Sequence, residues 1–139
     1  MILLDSGGLF AALVESELAH KGVRAAIEND PGPLILSPVA LCEVDHLLLT
    51  RAGVAVEAAF LREVAQGAFE LASFGAEDVD AAVGIIERYH DLGIGLADAS
   101  IVVLAGRYDT NRVLTLDERH FRAMRTPRGD PFMILPADA

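Results

Sequence analysis

Short apolar runs, each separated from the next by a longer stretch of helical character, constrain this chain more than any other feature. Residues 2–4, 34–36, 112–116 and 132–135 read as strands, with a further short run at 69–72. Between them, 9–16, 20–29, 38–52, 54–66, 76–90, 97–107 and 118–123 read as helices. Continuous apolar runs suit strands buried on both faces, and strands alternating with helices imply parallel pairing. The expected fold is therefore an α/β protein, a three-layer α/β/α sandwich around a central, mainly parallel sheet. The 139 residues suit a single domain, 1–139, and no repeat, low-complexity tract or linker divides them.

Local signals support these boundaries. Asn29-Asp30-Pro31-Gly32-Pro33 is the strongest turn signal, and Ser37-Pro38 offers an N-cap followed by proline at the first helical position. The segment 76–90 starts with acids, which suits the positive end of a helix dipole. Gly7-Gly8 reads as a turn and 92–95 as a loop.

No apolar run reaches the roughly 20 residues of a membrane span, and Asp5 interrupts the apolar start. The N-terminus lacks the positive region of a signal peptide, and the lone Cys42, in an apolar stretch, reads as core with no disulfide partner. A cytoplasmic protein is expected. The net charge of −10 opposes casual nucleic-acid binding, since a polyanion is held by Lys and Arg. Six of the eleven basic residues, however, Arg107, Arg112, Arg119, Arg122, Arg125 and Arg128, fall in the last third, where 107–128 contains only Asp109, Asp117 and Glu118 as acids, so that segment is locally basic. Glu118 and Arg122 have the spacing of an i,i+4 surface pair; the alternative is that Arg119, Arg122 and Arg125 contact RNA.

Ligands of parallel α/β sheets bind beyond the C-terminal ends of the strands, which singles out Asp5 and Asp117. Each is also a natural helix N-cap. Glu43 shares a helical stripe with Val39, Ala40 and Leu47, and Asp98 with Ile101, Val102 and Ala105. Neither has Lys or Arg three or four residues away, so both are expected to be buried without a local partner. A carboxylate leaving water needs compensation, from a distant Arg or a cation. Four converging carboxylates form a hard oxygen site suited to Mg²⁺ or Mn²⁺ rather than zinc. His20, His46, His90 and His120 lack metal-site spacing and read as surface or core residues. Without metal, the carboxylates should repel one another and raise some of their pKa values.

Nucleotide-binding loops of the GxxxxGK[ST] and GxGxxG types and the GxSxG elbow are absent. Gly7 stands where a phosphoaspartyl phosphatase wants a second acid, and Lys21, the only lysine, is misplaced for a response-regulator receiver.

Four segments carry a resemblance: Ile2-Leu3-Leu4-Asp5-Ser6, Ser37-Pro38-Val39-Ala40-Leu41-Cys42-Glu43, Gly95-Leu96-Ala97-Asp98-Ala99-Ser100, and 114–121, Leu-Thr-Leu-Asp-Glu-Arg-His-Phe. Together they resemble the PIN-domain family, specifically the VapC toxins of type II toxin–antitoxin pairs. The resemblance implies that Asp5, Glu43, Asp98 and Asp117 bind Mg²⁺, or Mn²⁺, with Ser6 and Thr115 as supporting hydroxyls. Ser6 departs from the Thr of many members but retains the hydroxyl. Asp45 is a further candidate, although it also fits an exposed helical position. The implied activity is an endoribonuclease that leaves 5′-phosphate and 3′-hydroxyl ends on structured RNA, such as tRNA or the sarcin–ricin loop. Implied partners are a second copy in a homodimer and a VapB-type antitoxin whose Arg-bearing tail would suit the acidic charge. Leu47, Leu48 and Leu49 would suit a groove or dimer face, or the core. The rival readings are a PIN-like binding module without turnover and a metal-dependent phosphatase or DNA nuclease.

Overall fold

The computed structural model describes residues 1–139. Five parallel strands run in the order β3-β2-β1-β4-β5: β1 (Ile2–Leu4), β2 (Leu34–Leu36), β3 (Glu70–Leu71), β4 (Arg112–Leu114) and β5 (Met133–Leu135). Seven α-helices connect them: α1 (Ser6–Leu13), α2 (His20–Glu28), α3 (Pro38–Arg51), α4 (Val54–Ala65), α5 (Ala76–Arg88), α6 (Leu96–Tyr108) and α7 (Glu118–Ala123).

Strand alternation divides the core. Ile2, Leu4, Leu36, Leu114 and Leu135 meet Leu9 and Phe10 of α1, Val23 of α2, Val44 and Leu48 of α3 and Phe60 of α4. Leu3, Ile35, Val113 and Ile134 point the other way, onto Ala82 of α5, Ile101 and Leu104 of α6 and Phe121 of α7. Successive residues of a strand face opposite sides, so both faces of the sheet are covered, as the unalternating runs require. Each fully buried Leu or Ile contributes about 1.5–3 kcal/mol by leaving water.

Three expectations are corrected. Gly7 and Gly8 lie inside α1, which begins directly after its cap, Asp5. Gly8 is required by packing rather than by a turn: a Cβ there would lie 2.5 Å from the carbonyl oxygen of Leu114. Cys42 is exposed, because Ala40, Val44 and Leu48 already form the buried stripe of α3. A 3-10 turn occupies His90–Leu92, where helix was expected to run on into loop. Of the three leucines, Leu48 is core, Leu47 is half-buried and Leu49 is exposed.

β1 and β4 are neighbours although the chain visits β2 and β3 between them. The chain runs outward from β1 through β2 to β3 and then crosses back to β4 on the other side of β1, and a crevice opens there beyond the strand ends.

Candidate active site

Asp5 leaves the end of β1 and Asp117 follows β4 by a short loop, so both reach that crevice. Glu43 enters it from α3 and Asp98 from the first turn of α6. All four carboxylates line one open cleft, together with Ser6, Gly7 and Leu116.

Hydrogen bonds fix the two strand-end acids. The Thr115 hydroxyl donates to Asp5 Oδ2 at 2.6 Å and accepts the Asp117 backbone N–H at 2.9 Å, so one buried side chain ties the two together. Asp5 Oδ1 accepts from the Ser6 N–H at 2.9 Å, and Asp117 Oδ1 from the His120 N–H at 3.0 Å. Both acids therefore serve as helix caps while facing the cleft. A second buried bond joins the helices that carry the other acids. Ser37 Oγ, capping α3, lies 2.7 Å from Ser100 Oγ of α6, and Ser100 donates onward to the Ala97 carbonyl at 2.6 Å.

Electrostatic crowding is plain. Burial pushes the Asp98 carboxyl up to about 6, and repulsion from Asp5, Asp117 and Glu43 acts in the same direction against the favourable His120. Burial also raises Asp5, opposed by its bonds from Thr115 and Ser6 and reinforced by Glu43 and Asp117. Three helix N-termini face this charge, those of α1, α6 and α7, and their positive ends favour carboxylates there.

Two further corrections concern burial and partners. Glu43 is exposed rather than buried, because one turn of α3 carries it out over the cleft. Asp98 is not without a partner: His120 Nδ1 lies 3.6 Å from its Oδ2 and 2.7 Å from Asp117 Oδ2. His120, read from sequence as surface or core, belongs to the site. One donor atom each from Asp98, Asp117 and His120 lie within 4.8 Å of one another, a grouping able to hold a metal ion. Its signal in the sequence was the i,i+3 spacing from Asp117 on a short helix. Asp45 does not line the cleft; it stands by Glu57 of α4, whose carboxyl it pushes up.

The basic segment is largely neutralised. Arg107 pairs with Asp78 at 2.7 Å, Arg112 with Asp30 at 3.0 Å and Arg128 with Asp109 at 3.0 Å. Arg122 is held by Glu118 at 2.9 Å and by Asp138 at 2.6 Å. Arg119 and Arg125 are exposed and make no ion pair.

A parallel sheet with clustered acids at its β1/β4 crevice is the arrangement of the PIN domain, and the PIN domain family model matches residues 2–126. The chain belongs to the PIN-domain family. It is 43% identical over 135 residues to Ribonuclease VapC26 of Mycobacterium tuberculosis, covering 97% of this chain and 100% of that relative, which sets it among the VapC proteins. Its fold matches the crystal structure of M. tuberculosis VapC20, described as a sarcin–ricin loop cleaving toxin, with a TM-score of 0.79 at 16% identity over 86% of this chain and 92% of the other. It also matches a toxin–antitoxin complex from Klebsiella pneumoniae, with a TM-score of 0.68 at 18% identity over 89% and 92% of the two chains.

Proposed function

We propose that this protein is a divalent-metal-dependent endoribonuclease acting as the toxin of a toxin–antitoxin pair. The observation that carries the reading is the convergence of Asp5, Glu43, Asp98 and Asp117 on one cleft at the β1/β4 crevice. The similarity to a named ribonuclease along nearly the whole chain supports it.

The residues fit a metal. Asp98 and Asp117 supply carboxylate oxygens beside an imidazole nitrogen that lacks a hydrogen-bond partner. Asp5 and Glu43 complete the acidic lining. A bound Mg²⁺ or Mn²⁺ would lower the pKa of a water and offset charge growing on the scissile phosphate. Thr115 donates to Asp5 and holds its carboxylate in place at the cleft. Ser6, half-buried at the start of α1, offers a hydroxyl to a water or phosphate oxygen. The N-terminus of α1 beside it adds a positive dipole end suited to phosphate. Within the 107–128 segment, Arg119 and Arg125 are the arginines left without an ion pair to meet the RNA backbone.

Substrate and partners follow by similarity. Structured RNA is the proposed target, with tRNA and the sarcin–ricin loop as the two candidates. The fold match to a protein from a toxin–antitoxin complex supports an antitoxin partner. A homodimer is proposed with it, which light scattering of the purified chain would test. No helix is long and apolar enough to cross a membrane.

Asp5→Asn and Asp98→Asn test the site directly. Each removes one negative ligand without changing side-chain size, and each should reduce RNA cleavage by at least a hundredfold while circular dichroism stays native. Activity near wild type in either variant would sink the four-acid reading.

A further inference from the structure

His120 stands beside the cleft, against Asp98 and Asp117, with its two ring nitrogens in different surroundings. Nε2 lies 3.1 Å from the backbone carbonyl oxygen of Leu92, which only accepts, so Nε2 carries the proton. In the neutral ring, Nδ1 is then left with its lone pair. That atom is buried and has no hydrogen-bond partner, although Asp117 Oδ2 is 2.7 Å away and Asp98 Oδ2 is 3.6 Å away. The contact with Asp117 is close but misdirected for a hydrogen bond. A buried nitrogen with no hydrogen-bond partner, beside two acceptor-only carboxylates, is a place for a positive centre, either a second proton on the ring or a cation.

The spacing shows what would fill that need. Neighbouring donors on a six-coordinate ion with bonds of about 2.1 Å lie about 3 Å apart. The distances of 2.7 and 3.6 Å bracket that value. Metal-binding imidazoles characteristically donate their other N–H to a backbone carbonyl, which fixes tautomer and ring orientation. The Leu92 carbonyl, at the end of the 3-10 turn His90–Leu92, does this for His120.

We propose that His120 Nδ1 is a direct ligand of the catalytic metal, making the site a mixed nitrogen and oxygen centre that favours Mn²⁺ over Mg²⁺. The inference rests on the metal-dependent reading of the acidic cleft and adds to it the selection of the ion. Mg²⁺ takes oxygen donors and holds its waters tightly, whereas affinity at nitrogen donors rises along the first transition row from Mn²⁺. One imidazole among carboxylates therefore shifts preference toward Mn²⁺ while leaving Mg²⁺ able to bind. The aspartates fix the place of the ion and His120 biases its identity.

Pulsed electron paramagnetic resonance of the full chain loaded with Mn²⁺ reads this independently of activity. Wild-type protein should show ¹⁴N coupling to the ion, replaced by ¹⁵N coupling when only histidine is isotopically labelled. His120→Gln should abolish the coupling, with Mn²⁺ affinity in calorimetry falling at least tenfold and Mg²⁺ affinity falling less. The labelled wild type needs no variant, so a misfolded His120→Gln would not obscure the answer. Mn²⁺ bound without histidine-nitrogen coupling would overturn the role of His120 and leave the acidic site standing. Wild-type protein that binds no Mn²⁺ at all would overturn the metal reading, and the role of His120 with it.

Discussion

Asp98 carries the clearest consequence of crowding at the scale of single residues. Its carboxyl, raised from an ordinary 3.8 to about 6, holds its proton more tightly when folded than when unfolded. The stabilisation linked to that proton is fully present below about pH 4 and is lost as pH rises toward and through about 6. Metal-free Asp98→Asn should therefore melt higher than wild type at pH 7.5, and the difference should shrink or vanish by pH 4. A thermal denaturation series in EDTA reads it; a constant difference across that range would show that the shift is not due to the ionised carboxylate. The same substitution should cripple cleavage, so stability and activity move in opposite directions at this one position. Asp5 is held differently, since Thr115 and Ser6 both donate to it and partly offset its burial.

At the scale of elements, the site depends on how closely α1 approaches β4. Gly8 lets the first turn of α1 lie against the Leu114 carbonyl, bringing Asp5 and Ser6 beside the segment that carries Thr115 and Asp117. Gly8→Ala forces a Cβ to 2.5 Å from that backbone oxygen, where no side chain can yield. A loss of about 1–3 kcal/mol in urea denaturation is expected, as for other overpacked positions. Stability within about 0.5 kcal/mol of wild type would contradict the close approach. The strands and most helices were legible in the sequence because their apolar runs, caps and turn residues agree. The start of α1 was not, since Gly7-Gly8 carries a turn signal and only the packing partner reveals why glycine stands there. Glu43 was legible as a site residue but not as an exposed one, because a helical stripe gives a direction and not the depth of the groove beside it. His120 was missed for a similar reason. Its spacing from Asp117 is visible, but its proximity to Asp98 arises only when α6 and α7 pack at one crevice.

Across the whole molecule, charge is distributed so that little of the positive excess near the C-terminus is free. Arg107, Arg112, Arg122 and Arg128 are tied to carboxylates, so the locally basic stretch seen in the sequence shrinks to Arg119 and Arg125. Substituting these two with Ala should weaken RNA binding and reduce the slope of log affinity against log salt by about two, one for each phosphate that an arginine neutralises. Arg122→Ala, by contrast, should leave that slope unchanged. Equal slopes for wild type and the double variant would leave Arg119 and Arg125 as surface charge alone. The topology accounts for the rest: a parallel sheet covered on both faces puts strand ends and helix N-termini on one side, and four acids distant in sequence meet there.

The most direct test of the central claim is incubation of purified, antitoxin-free protein with total bacterial RNA in Mg²⁺, Mn²⁺ or EDTA, with new 5′ ends mapped by sequencing. Discrete cuts that require metal and disappear with Asp98→Asn are the predicted result. Folded protein that binds metal and makes no such cuts would contradict it.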